Sequence, residues 1–163
     1  MILKIYEGIS SKLYQLTGYP VYFDEVDQNA QYPCFLIRLM DSEQEHVLDR
    51  RYERKHSFEI RLFPNFMVGS SINFINEKGE ITDINTELYK VAPALYTALE
   101  YIQVIEGNKE YLLRGDNMSY KAVDDTLQFL ASYDFFIMKE REKTEFMNTL
   151  DIEEGVGDGR KED

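Results

Sequence analysis

Cys34, His46 and His56 are the residue types from which a thiolate nucleophile and its base could be built, with a carboxylate to orient the base. Cys34 opens the apolar run Cys34-Phe35-Leu36-Ile37, where a cysteine acts as a small buried hydrophobe, so the spacing favours packing over catalysis. Two acidic sets, Asp24, Glu25, Asp27 and Asp41, Glu43, Glu45, have the chemistry of a cation site or of paired acid–base work. Neither has the glycine that an EF-hand loop requires or a histidine beside it, and both read as solvated faces of an acidic chain. The positive charge is concentrated at Arg50, Arg51, Arg54 and Lys55, which could meet phosphates or the carboxylates of a protein partner, or simply solvate an exposed strand. Arg114-Gly115-Asp116 reads as a turn. Phosphate loops, dinucleotide fingerprints and the G-x-S-x-G elbow do not occur, so the sequence calls for no cofactor.

The whole chain constrains these readings. Its 163 residues suit one main domain, and 44% hydrophobic with 13% aromatic residues are enough for a packed core. A formal net charge of −12 opposes general binding to nucleic acid, whose phosphates are held by Lys and Arg. A single cysteine forms no intrachain disulfide, and with two histidines it makes a poor zinc set, a composition suited to a reducing cytosol. The first residues are broken early by charge and glycine, so a signal peptide or membrane span is not expected there.

Apolar spacing then places the elements. Ile2, Ile5, Ile9, Leu13 and Leu16 form one face of a helix that should stop at Gly18, with an extended segment over 21–26 after Pro20. A covered strand is expected over 34–40, and an acidic, exposed hairpin arm over 41–49. Phe58, Ile60 and Leu62 alternate with polar residues in a strand over 52–63. Residues 66–80 read as a loop carrying Phe66, Met67, Phe74 and Ile75. A second helix is expected over 83–102, with Ile84, Leu88, Val91, Leu95, Leu99 and Ile102 on one face and Pro93 kinking or restarting it. Strands return at 111–113 and 118–123, separated by a turn at Gly115-Asp116-Asn117, and a long strand runs over 126–138. The expected core is Ile5, Ile9, Leu13, Phe35, Ile37, Phe58, Ile60, Leu88, Leu95, Leu99, Phe129, Ala131 and Phe135.

The pattern predicts an α+β domain over 1–138, with a largely antiparallel sheet, two main helices packed on one face and a protruding hairpin arm. Residues 139–163 are expected to form a charged, partly mobile tail, in which Phe146, Met147 and Leu150 have the spacing to dock on a neighbour.

The run from Arg50 to Pro64, together with Tyr32-Pro33-Cys34-Phe35-Leu36-Ile37 and Tyr133-Asp134-Phe135-Phe136-Ile137, resembles the tail terminator proteins of phages and defective prophages of Gram-positive bacteria. Leu88-Tyr89, Ala98-Leu99-Glu100-Tyr101-Ile102, Leu113-Arg114-Gly115 and Met118 are similar to the family as well. The resemblance implies a non-enzymatic virion protein made in the host cytoplasm, with no catalytic residue to carry over. It further implies a ring, usually of six subunits, that caps the tail tube and presents a docking surface to the head-side connector. Tube protein, sheath protein and further copies of the chain are then the partners, and DNA passes through without specific binding.

For such a ring the interface candidates are Arg50, Arg51, Arg54 and Lys55 in an arm over 41–55, with Phe66, Met67, Phe74 and Ile75 supplying apolar contact. The rival readings are another neck protein, of the head-completion or stopper kind, and a small metal-dependent enzyme acting on nucleic acid. The enzyme would need carboxylates converging in a pocket.

Overall fold

The computed structural model describes residues 1–64, 73–75 and 81–141, with the backbone alone described at 73–75 and 81–87. In chain order the elements are α1 (Ile2–Thr17), β1 (Val21–Phe23), β2 (Cys34–Leu48), β3 (Arg51–Phe63), β4 (Asn73–Ile75), β5 (Ile81–Asp83), α2 (Ile84–Leu99), β6 (Tyr101–Glu106), β7 (Lys109–Val123) and β8 (Thr126–Met138). The fold is α+β. Six strands form one sheet in the order β1-β2-β3-β8-β7-β6, while β4, inside the segment expected to be a loop, pairs separately with β5, which follows that segment.

Helix α1 follows its apolar spacing: Ile5, Ile9 and Leu13 have no exposed surface, and Gly18 ends the helix at φ 73 with its N–H on the Tyr14 carbonyl. The extended segment that follows is shorter than the pattern suggested. Asp24 turns away at φ 60 and donates its N–H to the Ile37 carbonyl, closing β1 after Phe23.

The sheet is mixed, which corrects the antiparallel expectation. Strand β1 runs parallel to β2, pairing Val21 with Phe35 and Phe23 with Ile37, while the other pairings are antiparallel. The connection between them is long enough to bring the chain back to the starting end of β1, as a parallel pair requires.

Helix α2 corrects its expectation at the C-terminal end. It runs through Pro93 and does not restart there, and the Tyr89 carbonyl that proline leaves without a donor belongs to a half-exposed residue. It stops at Leu99. Ile102 belongs to β6, where it and Val104 are buried on one face while Tyr101, Gln103 and Ile105 remain exposed. Ile102, three positions after Leu99, fits the helical count as well as a strand, and this hides the edge strand.

Strand β7 likewise continues where a turn was expected. Gly115-Asp116-Asn117 makes a register shift within the strand, with Asn117 at φ 49, so turn-forming residues here produce an irregularity and no reversal. Up to Arg114 the strand pairs with β6, and from Gly115 onward it pairs with β8. The handover is tight. Gly115 donates its N–H to the Glu100 carbonyl at 2.7 Å, and Tyr133 on β8 donates its hydroxyl to the Leu99 carbonyl at 2.8 Å.

One cluster of buried residues draws on α1, α2 and the strands, including Ile5, Ile9, Phe35, Phe58, Leu88, Leu95, Phe129 and Tyr133. Helix α1 reaches it through Tyr6, whose ring meets Phe58 edge-on at 5.3 Å, and α2 through Tyr96, whose ring lies 5.2 Å from Phe129. The expected core residues are buried except Phe135, which only packs against the cluster. The reason is its position on β8 beyond Tyr133, the last residue of that strand paired to β7.

Candidate assembly surface

The residues expected to form an arm, 41–55, belong to the paired ends of β2 and β3. From Ser42 with His56 to Leu48 with Arg51, β2 and β3 stay in register apart from a shift between His46 and Leu48, and Asp49 at φ 51 makes the turn. His46 Nε2 lies 2.6 Å from the Asp49 carbonyl oxygen and fastens that turn. The second flank of β3 is not free. It pairs with β8 as far as Arg51 with Met138, so three strands reach the hairpin end.

Directly paired residues share a face of a sheet, and the register therefore sorts the side chains. Asp41, Glu43 and Glu45 lie with Arg51, Glu53, Lys55, Ser57, Ser132, Asp134 and Phe136 on one face. Ser42, Gln44 and His46 lie with Tyr52, Arg54, His56, Tyr133 and Phe135 on the other. The four basic residues read together from the sequence are thus divided: Arg51 and Lys55 face one way, Arg54 faces the other, and Arg50 sits in the turn.

Each has a partner within the chain. Arg50 donates from Nη1 to the Lys139 carbonyl at 3.0 Å, and Arg51 lies over the Phe136 ring at 4.2 Å. Arg54 donates from Nε to the Gln44 side-chain oxygen at 3.0 Å. Lys55 lies 3.5 Å from a Glu53 carboxylate oxygen, whose charge raises the lysine's pKa. Asp134 faces Lys55 on β8, and burial raises its carboxyl above the usual range. Phe66 and Met67 lie outside the described residues, as do the side chains of Phe74 and Ile75 on β4. The tail from residue 142 onward also lies outside them.

Apolar surface that sequence reasoning did not single out lies at the hairpin end, where Leu48 is 72% and Met138 67% exposed beside Val47 and Phe136. A second exposed group, Ile105, Leu112 and Tyr101, covers β6 and the first half of β7. The signal for both was available in principle: large apolar residues on the polar phase of strands that are otherwise correctly alternating.

The enzyme-like arrangements are not assembled. Cys34 is fully buried, and burial pushes its thiol up to about 11, which keeps it protonated at neutral pH. It pairs with Phe63, whereas His56 pairs with Ser42, eight positions further along β2 and roughly 26 Å away at strand rise. Asp24 is engaged by the Tyr6 hydroxyl at 2.9 Å. Among the described residues no three His, Cys, Asp or Glu side chains converge as metal ligands, and no helix is long and apolar enough to cross a membrane.

A family model described as phage tail terminator protein matches residues 4–145, most of the chain. The chain belongs to the phage tail terminator family. No curated protein matches it.

Proposed function

We propose that this protein is a non-enzymatic tail terminator of the virion neck, acting as a homohexameric ring that caps the tail tube and gives the head-side connector its docking surface. The observation that carries the reading is the family match over residues 4–145. The exposed apolar ends of β2 and β8 support it, because such surface on a small chain is best explained by a partner. In this reading both helices pack on one face of the sheet, and the hairpin over 41–55 reaches across a subunit boundary. Arg50, Arg51 and Arg54 meet the next subunit's carboxylates there. A head-to-tail contact between unlike patches is what closes such a ring. A net charge of −12 suits a ring through which DNA passes without being held. Tube protein, and sheath protein where the tail contracts, are the partners on the other side.

Solution mass and negative-stain images of the full chain, alone and with its tube protein, test this. Closed rings, or rings seated on tube ends, are expected. A monomer at every concentration that also leaves tube length unchanged overturns the proposal.

A further inference from the structure

His56 is 3% exposed, and neither of its ring nitrogens has a hydrogen-bond partner. A buried imidazole presents at least one donor, and leaving it unmatched is costly, so such a group favours an acceptor from outside the chain. His56 lies on the wall of a cleft of about 710 Å³ between the first turn of α1 and the face of β2 and β3 that carries Ser42, Gln44 and Arg54. On the α1 side the N–H groups of Ile2 and Leu3 have no acceptor within the helix, and no side chain caps them. Helix N–H groups, a guanidinium and an imidazole N–H are all donors, and together they suit a carboxylate. The other charges that line the cleft are paired or exposed: the Met1 ammonium, which adds to the positive field at His56, lies 3.7 Å from a Glu106 carboxylate oxygen, Lys4 is engaged by Glu7 at 2.9 Å, and Glu43 and Glu106 are exposed.

The opposite face of the same hairpin has the complementary defect. Glu45 and Glu53 are direct cross-strand partners, and Asp41, Glu43, Glu45, Glu53 and Asp134 share that face with only Lys55 and Arg51, the latter stacked on Phe136. Like charges set opposite each other are destabilising until a cation reaches them. One hairpin therefore carries a donor-lined cleft on one face and surplus carboxylates on the other.

We infer that the cleft walled by His56 and Arg54 is a socket for a carboxylate from the Asp41–Glu45 row of a second copy of this chain. The inference rests on the ring reading and deepens it, because a socket and its plug on opposite faces of one element give the head-to-tail contact that a ring repeats.

Charge exchange tests it in the full chain, with thermal melts confirming that each variant folds. Arg54→Glu and Glu45→Arg, taken singly, are expected to weaken self-association at low salt at least about tenfold, as loss of a close charge pair does. The double variant, with the charges exchanged, is expected to recover most of it. Arg54→Gln, which keeps a polar group beside Gln44, serves if the charge reversal unfolds the subunit, and it too is expected to weaken association. Rings in the parent with no recovery in the double variant, or with undiminished association of Arg54→Gln, overturn the socket and leave the ring standing. A parent that never self-associates overturns both.

Discussion

A Cβ added at Gly115 would come within 2.6 Å of the Leu99 carbonyl oxygen and would also strike the Met118 side chain. The backbone cannot move aside without losing the Gly115 hydrogen bond to Glu100, so Gly115→Ala is expected to cost about 1–3 kcal/mol in denaturant unfolding. His56 gives a second outcome. Burial, and then the nearby Arg54, hold its pKa below the ordinary value. The unfolded chain therefore takes up a proton near pH 6.5 that the folded chain accepts only at lower pH, and stability contributed by the neutral ring is lost on acidification through that window. His56→Phe should be at least as stable as the parent at pH 7, because it removes the unmatched nitrogens, and should lose less stability than the parent between about pH 7 and pH 5.5. Equal losses in the two chains would mean that His56 titrates normally in the fold. Residues of this kind are hard to read from sequence. Ile5, Phe58 and Phe129 are legible because burial follows a period, whereas Gly8 and Gly115 are defined by what an absent side chain would hit, namely carbonyls of β6 and of α2. His56 did carry a signal: it stands in phase with Phe58 and Ile60.

Among the elements, α1, β3 and β8 were legible because each buries one clean face, and period alone locates such a face. Strand β6 was not, since Ile102 follows the helix directly and, three positions after Leu99, fits a continued helical count as well as a strand. The pairing of β1 with β2 was equally hidden, because strand direction depends on where a connection carries the chain. The division of Arg51 from Arg54 needed only the pleat, given that both lie in one strand. The match between α2 and the sheet can be tested at Leu95 and Phe58, both fully buried. Truncation of either to Ala is expected to cost roughly 2–5 kcal/mol, most where neighbours cannot collapse into the space. Unfolding curves with losses below about 0.5 kcal/mol at both would contradict the assigned core.

For the whole molecule, the face assignment changes what charge reversal should do. Arg51 stacks on Phe136 and faces the acidic side, while Arg54 faces the cleft, so the two report on different contacts. In sedimentation at low salt, Arg51→Glu and Arg54→Glu should each weaken association, and their effects should add, as for sites without shared partners. A double variant no weaker than the worse single one would place both arginines in one contact after all.

The sheet also has a seam whose consequence is kinetic. The β2–β3, β6–β7 and β7–β8 pairs are each closed by a short connection, but the β3–β8 pair joins distant parts of the chain, as in the contact between Ser57 and Ser132, 75 residues apart. Local pairs can zip soon after collapse, whereas the seam must wait for a long loop to close. The chain is therefore expected to fold as two halves that meet last along β3 and β8, each half presenting an open strand edge to any other copy until they meet. Crowded synthesis would then favour a wrong match, in which β3 of one chain takes β8 of another, built from the same hydrogen bonds that make the correct subunit.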